Sequence, residues 1–592
     1  MTEKEDDSGS PMATQAASAS ATTSEPVHGG HHAINAALAA GANTLFTLSG
    51  AHIFPLYDAA VGGSGMVQQA GSARAAERAG PVRLIDVRHE QTAVFAAEAV
   101  GKLTRSPGFA AVTAGPGVTN AISAVTGAWM NGSPLVLIGG RAPEHRWGSG
   151  ALQELDHVPL LEPVTKAAWT IRDPAQIRAR TAAAFDLAAS AHRGPVFIDI
   201  PMDVLFTPSV AATANNHEDV QHNTRRESTP IGDVERAAHL LRSAQRPVMI
   251  IGSDTWAGGG EQAARDFVRT WQIPVIANGM GRGIVPADDP LLVTRARSAA
   301  FADADLVLVA GAPLDFRLGY GVFGKAAKSG GPAVPVIHLV DAPTQVADHA
   351  AHALAVIGDI AHSLSTLSTL AGKSGSPASS PAWLEALAAA SRAAWEADAE
   401  LLASAADPIH PARIYGEIRR RLNAEDVVIG DGGDFVSFAG RFIEPSTPGR
   451  WLDPGPFGCL GTGPGYALGT HVALPDAHPW LMMGDGAAGF SLMDVDSLVR
   501  HQVPVTMVVG NNSGWGLEKH PMRFLYGYDI LADLEATPYD HVVRALGGAG
   551  ETVTEPAEIG AALDRARGYQ GPYLVNIITD PEVAYPRTTT GI

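Results

Sequence analysis

Two short polar clusters near the C-terminal end of the chain carry residue types that bind a hard metal ion. Gly484-Asp485-Gly486 follows the apolar run Trp480-Leu481-Met482-Met483, and Asn511-Asn512 follows a second run, Val503 to Gly510. Twenty-seven positions separate Asp485 from Asn512 (512 − 485). Each run reads as a buried strand, and residues 491–501 between them read as a helix. Both clusters then fall at the carboxyl edge of one parallel sheet, where open α/β sheets bind ligands. A carboxylate and an amide oxygen brought together there suit Mg²⁺ held jointly with a diphosphate. A plain βαβ unit with turn residues at its strand ends would have the same local sequence.

The elements that must hold these groups repeat along the chain. Strands are predicted at residues 44–48, 83–86, 110–113, 135–138 and 196–200, with alanine-rich helical stretches between them. A second series runs through residues 247–251, 306–309 and 336–340. Strands alternating with helices imply parallel sheets, so the fold class is α/β, with three domains that each have helices on both faces of a mainly parallel sheet. At 592 residues the chain is too long for one core. The expected divisions are a disordered tail at 1–28, a first domain at 29–206, a central domain at 230–371, a linker and helix at 372–407, and a third domain at 408–592. Polar residues 207–229 and the Gly/Ser/Pro stretch 372–381 mark the breaks.

Composition narrows the class. A formal net charge of −19 disfavours nucleic acid and anionic membranes as partners. The single cysteine, Cys459, excludes an intrachain disulfide framework. No apolar run is long enough to span a bilayer, and the acidic start Met1-Thr2-Glu3-Lys4-Glu5 has no signal-peptide character. The expectation is a soluble cytoplasmic enzyme acting on a small molecule, with no nucleic-acid or membrane partner.

The Gly-Asp-Gly and Asn-Asn spacing resembles the fingerprint of thiamine diphosphate (ThDP) enzymes. ThDP must lose a proton from a carbon atom, which requires one carboxylate to protonate its aminopyrimidine ring. Glu90, in Arg88-His89-Glu90 just after a strand, is the candidate, although a simple helix N-terminal acid would look the same. Together with Thr113-Ala114-Gly115-Pro116-Gly117-Val118-Thr119-Asn120, this segment resembles the pyrimidine domain of the group containing acetolactate synthase, 2-hydroxyacyl-CoA lyase, oxalyl-CoA decarboxylase and benzaldehyde lyase. The resemblance covers residues 30–580, in the order pyrimidine, central and diphosphate domain.

That resemblance implies roles. Asp485, the Asn512 side chain and the Gly514 carbonyl would hold Mg²⁺, and Gly486 and Ala487 would present N–H groups to the diphosphate. Asp431-Gly432-Gly433 resembles the second diphosphate loop, and Leu460 stands where the family places a bulky apolar residue under the cofactor; Gly115, Gly117, Asn120 and Trp515 complete the cofactor set. His52 resembles a substrate-facing His of benzaldehyde lyase. Gln153 and Lys166 match positions used by acetolactate synthase, with Leu152 in place of its usual Phe. Glu518 stands near where pyruvate decarboxylase has a proton-handling acid, and residues 489–500 look more like 2-hydroxyacyl-CoA lyase. The implied function is a ThDP- and Mg²⁺-dependent lyase or carboligase, leaning to 2-hydroxyacyl-CoA cleavage. Acetolactate synthesis is the alternative, and a silent regulatory homologue the second. The family builds its site between subunits, implying a homodimer or homotetramer. The loop Gly311 to Arg317 resembles one near the FAD of acetolactate synthase, leaving FAD, a CoA or adenine nucleotide, and an empty site all open for the central domain. The tail Tyr585 to Thr590 is a candidate lid.

Overall fold

The computed structural model describes residues 26–63, 80–210, 229–327, 330–350, 352–372 and 378–586. Most of the expected tail (1–25), most of the interdomain stretch (211–228) and Arg587 to Thr590 of the candidate lid lie outside them. Three parallel sheets organise the chain. The first has the spatial order Arg83–Asp86, Thr44–Thr47, Gly108–Val112, Leu135–Arg141, Pro195–Pro201, Ala167–Thr170. The central sheet runs Val275–Ala277, Pro247–Ile251, Leu306–Ala310, Val336–Val340, Leu354–Ile357. The third runs Trp451–Leu452, Val427–Asp431, Pro479–Gly484, Val505–Asn511, Pro572–Ile578, Ala549–Val553. Counted along the chain, the first and third sheets share the order 2-1-3-4-6-5. Their inner strands are buried on both faces, which is why they read as apolar runs rather than alternations. Among the described residues no helix is long and apolar enough to cross a membrane.

Two expectations are corrected. Val27 and His28 are not part of a tail; they form a two-residue strand antiparallel to Pro208–Ser209. The helix expected at 491–501 is broken into Asp485–Ser491, a turn at Leu492–Asp494, and Val495–Arg500. The break aims the Asp494 carboxylate at the first domain, where it accepts from Arg88 N (2.8 Å) and Thr92 Oγ1 (2.7 Å).

The first and third domains join through two helices, Glu90–Thr104 and Gly463–Ala473. They approach so closely that a Cβ on Gly469 would stand 2.2 Å from the Ala96 carbonyl oxygen, and one on Gly465 2.7 Å from Phe95 Cβ. Only glycine permits that contact. Glu98 is buried in the seam, and its charge is met by Tyr466 Oη (3.0 Å), Asn131 Nδ2 (2.8 Å) and Ser133 Oγ (3.0 Å).

Candidate active site

The carboxyl edge of the third sheet opens into a cavity of about 490 Å³. Asp485 begins the helix Asp485–Ser491 directly after the strand Pro479–Gly484. Its carboxylate is buried and accepts from Gly486 N (2.9 Å) and Gly514 N (3.0 Å). Burial nevertheless pushes its pKa up to about 6, against those two N–H groups. Asn511 is the structural member of its pair: fully buried, it donates to Asn576 Oδ1 (3.1 Å) and to the Thr537 carbonyl (3.2 Å). Asn512 turns into the cavity. One terminal amide atom lies 3.3 Å from Asp485 Oδ1 and 2.8 Å from Gly514 O. With nitrogen there, the amide donates to both; with oxygen there, three oxygens converge. An octahedral Mg²⁺ with bonds of ~2.05 Å sets neighbouring oxygens ~2.9 Å apart, so the set fits that ion.

The walls match a bent, diphosphate-bearing ligand. Gly432 has φ +79°, and a Cβ there would meet Ala487 Cβ at 2.5 Å and Leu460 Cδ2 at 3.1 Å, so the loop, Ala487 and Leu460 close on one another. The Trp515 ring lies over Gly486, with Phe490 edge-on to it at 6.3 Å. Glu518 is exposed at the rim, in the first turn of the helix Gly516–Tyr526. Asp431 departs from its expected place. It does not line the cavity; both its oxygens turn back to accept Gly461 N (3.0 Å) and Gly463 N (2.8 Å). It thereby fixes the loop bearing Leu460, and burial pushes its pKa up to about 6. Gly486 departs too, since its N–H is taken up by the Asp485 carboxylate.

A second cluster stands at the carboxyl edge of the first sheet. Glu90 is buried at the start of its helix, and Asn120 Nδ2 donates to its Oε2 (3.0 Å). His52 is buried with Nδ1 3.1 Å from Thr113 Oγ1. Burial lowers its pKa, so the ring is held towards the neutral form. Gly115, at φ +59°, ends against Gln153, whose own φ is +60°. A Cβ on Gly117 would meet Thr113 Cγ2 at 2.8 Å. Lys166 stands apart, donating to the Ser190 carbonyl and hydroxyl at 2.7 Å each.

The sequence reading missed the network beneath this cluster. Gly115 N donates to His157 Nε2 (3.0 Å), which leaves Nδ1 protonated and facing Asp199 Oδ2 at 3.1 Å. Arg141 Nη1 donates to the same Asp199 oxygen (2.9 Å) and stacks on Trp147 at 3.7 Å. His157, Asp199 and Arg141 are all buried. The available signal was Asp199 itself, an acid inside an otherwise apolar strand. Tyr539 was missed as well; its hydroxyl donates to the Asp485 carbonyl (3.0 Å).

Among the described residues of one chain these two clusters do not meet: none from the first domain lines the 490 Å³ cavity. A further cavity of about 360 Å³ lies at the carboxyl edge of the central sheet, where FAD, a CoA or adenine nucleotide, and an empty site were all left open. Asp254, Asp315 and Asp453 line it, and its cations are engaged. Arg317 pairs with Asp315, His192 with Asp341, and Lys102 donates to the Asp453 carbonyl.

Comparison with known proteins follows the same division. Residues 28–160 match the N-terminal TPP binding domain of thiamine pyrophosphate enzymes, 234–370 the central domain and 431–577 the C-terminal TPP binding domain. The chain is 45% identical over 567 residues to the acetolactate synthase large subunit IlvG of Mycobacterium tuberculosis, covering 95% of this chain and 98% of that one. A probable acetolactate synthase of Mycobacterium bovis matches equally. Human 2-hydroxyacyl-CoA lyase 2 is 33% identical over 562 residues, covering 88% of this chain and 84% of that one.

Proposed function

The chain belongs to the thiamine pyrophosphate enzymes and makes or breaks a carbon–carbon bond; from that premise we propose that it condenses 2-keto acids, forming acetolactate from pyruvate. The observation that carries this reading is the 45% identity along almost the whole chain with an acetolactate synthase large subunit, against 33% with a 2-hydroxyacyl-CoA lyase. That margin reverses the order in which residues 489–500 and Glu518 alone place the two activities. Cleavage of 2-hydroxyacyl-CoA keeps second place, on the exposed carboxylate of Glu518 at the cavity rim.

In this reading Asp485, Asn512 and the Gly514 carbonyl hold Mg²⁺. Gly432, Gly433, Gly486 and Ala487 would line the diphosphate's path, and Leu460 and Trp515 would flank the bound cofactor. Bound ThDP would supply a nucleophilic carbon and a sink for the electron pair of the bond being made or broken. Glu90 holds and releases a proton at its carboxylate, which Asn120 orients through Oε2. His52 and Gln153 orient the substrate, and Glu518 moves a proton at the rim. Because the Glu90 and Asp485 clusters open apart in one chain, a working site takes Glu90 from one copy and Asp485 from another, so the enzyme is a homodimer or homotetramer. Exposed Phe490, Met493 and Phe524 offer apolar surface for that contact.

The test is to incubate the holoenzyme with pyruvate and, separately, with a 2-hydroxyacyl-CoA, and to identify products by mass spectrometry. Acetolactate is the expected product. Cleaved acyl-CoA with pyruvate untouched would replace this reading by the second one.

A further inference from the structure

The first helix of the chain brings two imidazoles against one carboxylate. His28 and His31 are three residues apart, so both fall on one face at the start of the helix Gly29–Ala39. The helix Phe54–Ala60 packs across that start. A Cβ on Gly30 would stand 2.0 Å from the Pro55 carbonyl oxygen, so glycine alone permits the approach. Asp58, one turn beyond Pro55, thereby faces the two histidines. Its Oδ2 lies 2.9 Å from His28 Nε2 and 3.8 Å from His31 Nε2. One donor atom from each of the three residues lies within 4.8 Å of the other two. The side chains of His28, His31 and Asp58 are 13%, 20% and 37% exposed, so an ion can reach them from solvent. His32 is engaged elsewhere, at 3.0 Å from the Ser209 carbonyl oxygen and 3.1 Å from its hydroxyl.

We propose that His28, His31 and Asp58 bind a late first-row divalent ion of the Zn²⁺ type, with water in the remaining position. Two imidazole nitrogens and a carboxylate oxygen are the donors such ions take, whereas Mg²⁺ keeps to oxygen. The spacing agrees with that choice. Zn²⁺ bonds of about 2.0–2.2 Å at tetrahedral angles set neighbouring donor atoms about 3.4 Å apart, between the 2.9 and 3.8 Å observed. Burial, and then the neighbouring His28, hold the His31 pKa below its ordinary value in spite of Asp58, so the neutral ring that a metal requires is the favoured form. A backbone hydrogen bond with Gly63 fixes the same ring, as an outer partner does for a ligating imidazole. Gly63 also abuts the carboxylate: a Cβ there would meet Asp58 Oδ1 at 2.0 Å. A bound ion ties the start of the first helix to the helix that continues the His52 turn, Ala51–Ile53. It shares no ligand with the Asp485 cluster, so the site is separate from that of the cofactor's metal.

The test is calorimetric titration of the tag-free, full-length enzyme with Zn²⁺, after dialysis against a chelator and resaturation with ThDP and Mg²⁺. Wild type is expected to bind Zn²⁺, and His31→Gln and Asp58→Asn are each expected to weaken that binding by about tenfold or more while leaving ThDP affinity unchanged. An ion that binds only the folded chain also raises Tm, so excess Zn²⁺ is expected to raise it in wild type and much less in His31→Gln. Absence of Zn²⁺ binding up to about 0.1 mM overturns the proposal and leaves His28 and Asp58 as an ordinary hydrogen-bonded pair. Equal affinity in wild type and His31→Gln overturns it too, by placing the ion on other residues. The His31 side chain is partly exposed, so that variant decides even if Asp58→Asn fails to fold.

Discussion

The first and third sheets have the same strand order, and the loops at corresponding strand ends do different chemistry. After the first strand in chain order come His52 in one sheet and Gly432-Gly433 in the other. After the second come Glu90 and Leu460, after the third Gly115 and Asp485, and after the fourth Gln153 and Asn512. The third sheet collects oxygens and glycine-lined space, which suits a cation and a diphosphate. The first collects one buried carboxylate with an amide donor and a buried imidazole, which suits proton handling. One scaffold thus supplies two half-sites whose difference lies almost wholly in the loops. The helices after the second strands pack on each other within the chain, while the two loop clusters face different spaces.

The largest expected effect breaks the two halves separately. Glu90→Gln removes the proton-handling half and Asp485→Asn the cation-holding half, and each is expected to lower kcat by roughly 10²–10⁴-fold. If the halves that work together sit on different copies, mixing and reassociating the two inactive variants restores activity to about a quarter of wild type, because half of random dimers then carry one intact site of two. Activity that stays at the level of either variant alone would place both halves of each site on one chain.

How far the sequence reveals this comparison depends on where each determinant's partner lies. The buried strands are legible because parallel strands covered on both faces are continuous apolar runs, as at Leu135–Arg141 and Val505–Asn511. The half-buried edge strand Ala167–Thr170 and the two-residue Trp451–Leu452 are too weakly patterned to read. Asp485 and Asn512 are legible because their glycines and strand ends are local. The break at Leu492–Asp494 is not, since its cause is Arg88 and Thr92, about 400 positions away in sequence. Asp431 reads as a ligand-loop residue, yet its carboxylate serves Gly461 and Gly463, thirty and thirty-two residues on.

The two edges also differ in how their loops are anchored, and this gives a smaller effect. In the third sheet a carboxylate, Asp431, takes the loop amides; in the first an imidazole, His157, takes Gly115 N and is backed by Asp199 and Arg141. His157→Leu removes the acceptor of Gly115 N and a donor of a fully buried carboxylate, freeing the loop that abuts Gln153. The expected outcome is a fall in kcat/KM of roughly 10–100-fold, from misplacement on the substrate side. Equilibrium binding of ThDP with Mg²⁺ is expected to change much less, because the Asp485 cluster is untouched. A loss of cofactor affinity as large as the loss of kcat/KM would make His157 a general structural residue and remove the contrast between the edges.

The smallest effect concerns how the first domain is tied to the central one, through an imidazole where the third domain's tie is an arginine, Arg282, on Glu444. His192, just before the strand Pro195–Pro201, lies 3.1 Å from Asp341 Oδ1 and 3.6 Å from Asp254 Oδ1. Burial alone would lower its pKa, but Asp254 and Asp341 outweigh burial and raise it to about 9. Between its ordinary value of 6.5 and about 9 the folded chain keeps a proton that the unfolded chain has released. Stability from this pair is therefore complete below pH 6.5 and declines as pH rises through 9, with a slope of at most ~1.4 kcal/mol per pH unit. Thermal unfolding at pH 7 and pH 9 should show a drop in Tm for wild type and a smaller drop for His192→Gln, which has no proton to lose. Equal drops in the two proteins would mean that the imidazole is neutral in the folded chain and that the domains are held by packing alone.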